Sequence, residues 1–426
     1  MDIANKYRSR IVDSQIERYL NIFGALCLEG PKWCGKTWTA SMHSRSELLI
    51  GNPDGDFQNR RLAELSSSAS LEGATPRLID EWQDVPQLWD AVRSTVDKRA
   101  EKGQFILTGS STPKIKGMMH SGTGRIGTIR MNTMSLYESG DSSGAVSLES
   151  ICHGEIEPAL TGEVGLRDLI YLTVRGGWPG NIGVQEIDAD IIPKSYISSV
   201  ISYDFSRVNS GIYSKSKLEM ILKSLARNES TTASNNKILS DITAIDEKQI
   251  SKETFISYLD ILDRLFLIDN QEAFSSNIRS SLRLKTSAKR HFCDPSLAAA
   301  ILNATPDKLF NDLQTFGFLF ESLVERDLRI YAEAINAKLF HYQDYKGQEI
   351  DAVIELNDGK WCAFEIKLGA NQIEEAAKNL LKIKDDIAKD PKGVPPENLC
   401  IICGMSNACY RRPDGVFVVP ITALKP

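Results

Sequence analysis

The stretch GPKWCGKT, close to the start of the chain, restricts the folds that the chain can adopt. It fits the pattern GxxxxGK[ST], with Gly30, Gly35, Lys36 and Thr37 at the fixed positions. The apolar run ALCL before it is typical of a buried parallel strand, and the residues after it can begin a helix. A strand, a glycine-containing loop and a helix in this order predict a loop whose backbone N–H groups surround phosphate groups.

This loop predicts a site for ATP and Mg²⁺. The side chain of Lys36 is expected to reach the β- and γ-phosphates, and the hydroxyl of Thr37 to ligate Mg²⁺ at the start of the helix. Trp33 and Cys34 are unusual in such a loop, but their side chains can face away because the loop binds through its backbone. The residues predicted to contact the nucleotide are Gly30, Pro31, Lys32, Trp33, Cys34, Gly35, Lys36, Thr37, Trp38 and Ser110.

Further strand ends supply catalytic candidates. The apolar run RLIDE ends in two acids: Asp80 is expected to hold Mg²⁺ through water, and Glu81 to polarise the attacking water. The run QFILT precedes Ser110, which can sense the γ-phosphate. Arg125, in SGTGRIGTIR, is a candidate arginine finger or sensor, and it can serve a neighbouring copy in a homo-oligomer. Strands that alternate with helices in this region predict an α/β domain with a parallel sheet.

Composition bounds the class of protein. A chain of 426 residues with 42% hydrophobic residues can form two or three domains with their own cores. The net charge of −6 argues against a generally basic nucleic-acid binder but leaves a local basic patch open. The chain has no apolar run as long as a membrane helix, and its N-terminal stretch lacks the apolar core of a signal peptide, so a cytoplasmic protein without membrane contact is expected. Cys400 and Cys403 form a CxxC, but no second pair completes a zinc site, which favours buried thiols.

The middle of the chain predicts a helical lid with a winged helix-turn-helix. Residues 140–163 are rich in Gly, Ser and Glu and predict an irregular insertion. RGGWP follows, where Arg175 fits either a second nucleotide sensor or a salt-bridged turn. Three amphipathic helical stretches, KLEMILKSLARNE, NKILSDITAI and FISYLDILDRLFLI, then precede a basic segment without acids. The basic residues of that segment are Arg279, Arg283, Lys285, Lys289 and Arg290.

This basic segment, Arg279–Arg290, is a candidate DNA-contacting wing. In winged helix-turn-helix domains the third helix enters the major groove and the wing touches phosphate. Here the third helix carries Glu253, Asp260 and Asp263, and their negative charge opposes docking on phosphate. DNA contact and a structural lid with a solvated basic strand therefore both stay open.

The C-terminal third predicts the core of a PD-(D/E)xK nuclease. A helix containing Glu321 and Glu325 precedes a strand with Asp351, an Asn-Asp-Gly hairpin turn, and a strand with Glu365 and Lys367. Two residues apart on a strand, Glu365 and Lys367 face the same side, and Asp351 on the adjacent arm can converge on them.

Such a constellation predicts metal-dependent phosphodiester cleavage. Asp351 and Glu365, with Glu321 preferred over Glu325 from the helix, can hold Mg²⁺, while Lys367 orients the attacking water. The alternative is an exposed salt-bridged strand face in a fold kept for binding or assembly.

In their order along the chain, these stretches resemble the bacterial and archaeal AAA-type ATPases that end in a domain of unknown function, number 4143. The resemblance covers nearly the whole chain and rests on GPKWCGKT, LIDEWQDVP, LTGSS, GRIGTIRMNTMSLYE, RGGWP, FESLVERDL, EIDAVIE and FEIKL. The chain departs from the family pattern at Lys32 and Trp33, where small polar residues or arginine are usual. The resemblance implies a fold and an ATPase but no substrate.

The predicted fold class is α/β with three domains: an AAA-like P-loop ATPase domain over 1–164, a helical lid with a winged helix over 165–305, and a restriction-endonuclease-like domain over 306–426. The expected function is ATP binding and hydrolysis by a protein that acts on DNA, with ATP gating the nuclease-like domain. The alternative is an ATP-dependent regulatory switch or protein-binding ATPase whose nuclease fold is catalytically silent.

Overall fold

The computed structural model describes residues 6–112, 119–208, 213–243, 250–277, 286–345 and 347–426. The first part contains, in chain order, α1 (Val12–Ile22), β1 (Ala25–Glu29), α2 (Lys36–Met42), β2 (Ser46–Leu49), α3 (Asp54–Leu65), α4 (Ser67–Ser70), β3 (Arg77–Asp80), α5 (Gln87–Arg99), β4 (Phe105–Gly109), β5 (Ile126–Arg130) and α6 (Leu136–Ser139). This alternation of strands and helices confirms the predicted α/β class.

The first sheet is parallel and positions the phosphate loop. Its five strands lie in the order β2-β3-β4-β1-β5, and all the paired strands run in the same direction. The apolar runs that predicted β1 and β4 are buried on both faces, with Leu26 and Ile106 paired in register and fully buried. Because parallel strands end at one edge, the loops after β1, β3 and β4 meet there.

The middle part is helical. It contains α7 (Leu148–His153), α8 (Leu166–Arg175), α9 (Ile191–Ser199), α10 (Phe205–Val208), α11 (Lys215–Arg227), α12 (Asn235–Thr243), α13 (Lys252–Arg264), α14 (Pro295–Leu302) and α15 (Pro306–Asn311), and the short strands β6 (Val146–Ser147) and β7 (Ala159–Leu160). A π-helical turn, Val200–Asp204, joins α9 to α10. The three amphipathic stretches predicted as helices correspond to α11, α12 and α13.

The C-terminal part is a mixed sheet flanked by helices. It contains α16 (Leu313–Ala334), β8 (Lys338–Gln343), β9 (Glu349–Glu355), β10 (Trp361–Gly369), α17 (Ile373–Lys389), β11 (Asn398–Met405), β12 (Ala408–Arg411), β13 (Phe417–Pro420) and β14 (Leu424–Lys425). Seven strands lie in the order β7-β12-β13-β11-β10-β9-β8. The Asn-Asp-Gly turn joins β9 to β10 as predicted, with Gly359 at φ +83°.

The insertion at 140–163, predicted to be irregular, contributes strands to the C-terminal part. β6 pairs in parallel with β14, and β7 pairs with β12 at the edge of the seven-stranded sheet. Each of these strands has only two residues, which is too short for a period of alternation to be recognised in the sequence. The pairing therefore places this insertion against the C-terminal part rather than the parallel sheet.

The base of the predicted wing is an antiparallel pairing that lies against the C-terminal sheet. Ile268 pairs with Phe292 and Gln271 with Lys289, while the segment between them, 278–285, lies outside the described residues. The Gln271 amide donates to the carbonyl oxygen of Phe340 at 2.8 Å, so the pairing covers the free edge of β8.

Asp294, at the start of α14, joins the three parts of the chain. Its carboxylate accepts hydrogen bonds from the Thr133 hydroxyl at 2.7 Å and from the Gly177 backbone N–H at 2.9 Å, and it pairs with Arg326 of α16 at 3.1 Å. Arg326 also pairs with Asp327 at 2.7 Å, and all these side chains are buried. This buried network ties the ATPase part, the middle helices and α16 together.

None of the helices that the structure describes is long and apolar enough to cross a membrane.

Candidate functional site

The loop after β1 has the backbone that its glycines predicted. Gly35 has φ +104° and is the N-cap of α2. Gly30 has φ +152°, and a Cβ there would lie 2.1 Å from the carbonyl oxygen of Met131. Both positions therefore require glycine, Gly35 for its backbone conformation and Gly30 also for close packing against Met131, the residue directly after β5.

Lys36 is folded back onto its own loop. Its Nζ donates to the carbonyl oxygens of Gly30 at 2.9 Å and Pro31 at 2.7 Å, and the residue is only 5% exposed. Phosphate oxygens can replace these two carbonyl oxygens as acceptors when an anion enters the loop. The lysine is thus held at the position from which the motif predicts phosphate contact.

The side chains predicted to hold Mg²⁺ meet at the edge of the parallel sheet. The Thr37 hydroxyl donates to Asp80 Oδ1 at 2.8 Å, and the Thr108 hydroxyl donates to the same oxygen at 2.6 Å. Burial raises the pKa of Asp80 and the two hydroxyl donors lower it, but burial has the larger effect, so the pKa lies above its ordinary value. A hydroxyl and a carboxylate are hard oxygen ligands, so these residues fit Mg²⁺. The sequence reasoning missed Thr108, although its place at the end of an apolar strand was visible.

Glu81 follows directly and is held by two donors. Its carboxylate accepts a hydrogen bond from Ser110 Oγ at 2.8 Å and another from the Gln83 amide. Ser110, expected to sense the γ-phosphate, therefore contacts Glu81 in this structure. The two residues come together because β3 and β4 are neighbours and end at the same edge.

A cavity of about 1090 Å³ lies between this edge of the sheet and the helices α9 and α10. These two helices and the turn between them are called the lid. Its walls include the loop residues Lys32, Trp33, Gly35, Lys36, Thr37 and Trp38, together with Glu81. Cys34, by contrast, is fully buried and faces Met131, as expected for a loop that binds through its backbone. Trp33 does not face away: it is 56% exposed, and its ring lies edge-on to Tyr196 of the lid.

Two ion pairs connect the lid to the cavity edge. Lys32 of the loop pairs with Asp204, and Arg207 pairs with Asp84, which follows Glu81 closely in the chain. The sequence predicted that Lys32 contacts the nucleotide, but it did not identify Asp204 as its partner or the pair Arg207–Asp84. Only the tertiary structure brings these residues near the loop, because the lid is more than a hundred residues away in sequence and no motif marks it.

Arg10 supports the loop from behind and was also missed. Its guanidinium donates to the carbonyl oxygens of Cys34 at 2.7 Å and Asn132 at 2.9 Å, and it pairs with Glu138 at 2.9 Å. The arginine lies ahead of α1 in a stretch with no recognisable motif, so the sequence offered no signal for this role.

Arg125 and Arg175, the two arginines considered as nucleotide sensors, do not contact the phosphate loop in the structure. The backbone of Arg125 pairs with Ala25 at the start of β1, a strand length, roughly 15 Å, from the loop, and its guanidinium pairs with Asp97. Within one chain Arg125 therefore does not reach Lys36, and its role toward a neighbouring copy stays a prediction. Arg175 is buried and pairs with Asp141 at 2.7 Å, which is the salt-bridged alternative rather than a nucleotide sensor.

The C-terminal strands bring three predicted residues together. Lys367 Nζ lies 2.6 Å from Glu365 Oε2 and 3.2 Å from Asp351 Oδ2, and Asn379 of α17 donates to Glu365 Oε1 at 2.9 Å. Burial raises the pKa of Glu365, and the neighbouring Asp351 raises it further. Burial also raises the pKa of Asp351, but the positive charges of Lys367 and Lys289 lower it, and the resulting pKa is below its ordinary value.

The helix carboxylates are neutralised by a lysine from the wing. Lys289 pairs with Glu321 and lies 2.9 Å from Glu325 Oε1, and it is 6% exposed. Within the described ranges, no group of three or more His, Cys, Asp or Glu side chains is arranged to hold a metal ion. In the structure the ammonium groups of Lys289 and Lys367 contact the carboxylates of Glu321, Asp351 and Glu365, so these residues as placed do not fit a metal ion. The metal-dependent cleavage predicted from them stays a prediction.

Two basic residues of the predicted wing, Lys289 and Arg290, are among the described residues. Lys289 is buried against α16, and Arg290 donates to the Ala233 carbonyl oxygen at 2.9 Å and to Asn235. These two basic residues are therefore used in packing within the chain. Arg279, Arg283 and Lys285 lie outside the described residues, so their predicted DNA contact stays a prediction.

Three family models match in chain order: an AAA domain over residues 23–140, a domain of unknown function (DUF8612) over 166–308, and a domain of unknown function (DUF4143) over 316–424. Similar proteins include the uncharacterized proteins Rv2008c of Mycobacterium tuberculosis and Mb2031c of Mycobacterium bovis, each 21% identical over 83% of this chain and 72% of the relative. Among solved structures, the Walker-type ATPase PABY2304 of Pyrococcus abyssi covers 70% of this chain and 97% of its own at 15% identity, with a TM-score of 0.45. The AAA domain indicates ATP binding and hydrolysis.

Proposed function

We propose that this chain, which belongs to the AAA-domain proteins ending in a domain of unknown function (DUF4143), is an ATP-driven conformational switch. One observation carries the proposal. Lys36, Thr37 and Glu81 line one side of a single cavity, while Ile192 and Arg207 of the lid line another. A nucleotide bound there touches both the loop that holds phosphate and the helices that can move.

The loop side supplies the chemistry. Lys36 binds the β- and γ-phosphates, and the loop N–H groups orient them. Thr37 and Asp80 would hold Mg²⁺, which would supply positive charge beside the phosphate oxygens. Glu81 orients the attacking water and accepts its proton, and Ser110 and Gln83 hold the carboxylate in place for that task.

The lid side supplies the switch. In the structure Asp204 is the partner of Lys32, a loop cation that phosphate also attracts. Nucleotide binding places phosphate in competition with Asp204 for Lys32, so the bound and free states favour different positions of the lid. The buried network around Asp294 includes Gly177 and Arg326 of α16, and the neighbouring Trp178 packs its ring against Tyr196 of the lid, so the lid and α16 are connected.

We assign no nuclease activity to the C-terminal domain, because its carboxylates are already paired with Lys289 and Lys367. A nuclease acting on DNA is the second candidate, favoured by the meeting of Asp351, Glu365 and Lys367 on adjacent strands. Incubation of labelled single-stranded, duplex and branched DNA with Mn²⁺ decides between the two. Cutting by the wild type that is lost in Asp351→Ala supports the nuclease, and no cutting beside intact ATPase activity supports the switch.

Glu81→Gln tests the proposed hydrolysis. The amide cannot accept the proton of the attacking water, so we expect kcat to fall by about 10²–10⁴-fold while ATP still binds. Phosphate release measures kcat, and a fluorescent ATP analogue measures binding.

Glu72→Gln is the matched control, since that carboxylate is 78% exposed and pairs only loosely with Arg99. The control should hydrolyse ATP like the wild type. Unchanged hydrolysis by Glu81→Gln would remove Glu81 from the mechanism.

Asp204→Asn tests the lid contact. Without the carboxylate, Lys32 is free for phosphate and a negative charge near the cavity is gone, so we expect ATP to bind about two- to fivefold more tightly. Isothermal titration calorimetry with an ATP analogue that the protein does not hydrolyse measures the Kd.

Asp190→Asn changes the N-cap aspartate of α9, which pairs with Lys194 outside the cavity, and should leave the Kd unchanged. Weaker binding by Asp204→Asn would mean that the pair supports nucleotide binding instead of competing with it.

A further inference from the structure

The carboxylates of α16 already have a cation, and it is a side chain of the same chain. Lys289 Nζ contacts the Glu321 carboxylate, Glu325 Oε1 at 2.9 Å and the main-chain oxygen of Asp351 at 3.2 Å. Two carboxylates and a carbonyl around one point are the ligands that hard divalent cations prefer in proteins.

We propose that Lys289 takes the place of a divalent metal ion at this cluster and excludes such an ion while it is there. Removing the ammonium should therefore create a site for a hard divalent cation. The inference extends the proposed silence of the C-terminal domain and does not depend on the ATPase, so metal binding measured without nucleotide separates the two.

Burial makes the ammonium necessary. Glu325 is 2% exposed and Lys289 6% exposed, and a buried carboxylate without a counter-charge is strongly destabilising.

The ammonium group of this cluster belongs to the middle part of the chain. Lys289 lies near the C-terminal end of the predicted wing, and two residues later His291 Nε2 lies 2.5 Å from Glu325 Oε2. His291 Nδ1 in turn lies 3.4 Å from Glu229, which is two residues past the end of α11. The cluster thus ties the helical middle part to α16, and the position of Lys289 depends on how these parts pack.

Lys289→Ala tests the inference, because alanine leaves room for an ion. In nucleotide-free buffer we expect the variant to have a lower Tm than the wild type and to bind one Mn²⁺ per chain, detected by electron paramagnetic resonance, with a saturable rise in Tm. Any Mn²⁺ that the wild type binds should also bind to the double variant Glu321→Gln/Glu325→Gln, because such an ion lies outside this cluster.

The triple variant Lys289→Ala/Glu321→Gln/Glu325→Gln is the control. It lacks both the ammonium and the charges that need it, so it should be more stable than Lys289→Ala without metal and indifferent to Mn²⁺. Where Lys289→Ala does not fold alone, refolding in the presence of Mn²⁺ replaces the titration, and recovery of folded protein supports the inference.

Three outcomes overturn the proposal. The first is wild-type binding of Mn²⁺ that disappears in Glu321→Gln/Glu325→Gln. The second is a Lys289→Ala variant, folded or misfolded, on which Mn²⁺ has no effect. The third is a triple variant no more stable than Lys289→Ala, because the lysine would then not be balancing these carboxylates.

Discussion

Lys36→Ala is expected to lower the affinity for ATP by about 10²–10⁴-fold. Hydrogen bonds between charged partners contribute about 1.5–3 kcal/mol each, and Lys36 is expected to bind two phosphates, which gives about 3–6 kcal/mol. The side chain lies inside the loop, with Nζ 2.9 Å and 2.7 Å from the carbonyl oxygens of Gly30 and Pro31. Alanine leaves those carbonyl oxygens facing the phosphates without a cation between them. Isothermal titration with Mg²⁺-ATP measures the loss.

Lys32→Ala is the matched control, since it removes the same charge from the same loop. Lys32 is paired with Asp204 of the lid, and its side chain is 34% exposed. We expect its removal to change the Kd by less than about tenfold, as for a partly exposed ion pair. Tight ATP binding by Lys36→Ala, or an equal loss in both variants, would contradict the specific role of Lys36.

Asp294→Ala is expected to lower the free energy of unfolding by about 3–5 kcal/mol, because it removes one partner of a buried charge pair. Arg326 would keep only Asp327 as a partner, and the donors Thr133 and Gly177 would lose theirs. Since the network joins three parts of the chain, urea unfolding should also separate into more than one transition. Circular dichroism and tryptophan fluorescence, followed in parallel, measure both effects.

Asp312→Ala provides the comparison for this variant. Both aspartates are N-cap residues, Asp294 of α14 and Asp312 of α16, but Asp312 is exposed and accepts a hydrogen bond from the Thr315 N–H at 3.0 Å. Loss of an exposed cap costs about 1 kcal/mol. The difference between the two variants therefore measures the buried network, and equal losses would show that Asp294 acts only as a helix cap.

The elements with a strong local pattern were predicted closely. The apolar runs gave β1, β3 and β4, and the strand–turn–strand pattern around Asn-Asp-Gly gave β9 and β10. Lys367 and Glu365 lie on one side of β10 because side chains alternate along a strand, and Asp351 meets them from the neighbouring strand. Such geometry follows from sequence period alone.

Contacts between distant segments had no local pattern to reveal them. Lys289 was interpreted as part of a DNA-facing wing because its neighbours in sequence are basic. In the folded chain its neighbours are Glu321 and Glu325, which lie on a different element. The charge of a segment indicates its surroundings only when the segment faces solvent, and burial against α16 reversed that interpretation.

The local sequence was enough to predict the phosphate loop and the acids Asp80 and Glu81 at the end of β3. These features depend on backbone conformation and strand period, which are encoded within a few residues. Tertiary packing alone brings Asp204 to Lys32, puts Arg207 on the cavity wall and places a lysine in the C-terminal cluster. Those contacts arise from the packing of elements far apart in the chain, which is set by the burial of whole faces and by the pairing of buried charges.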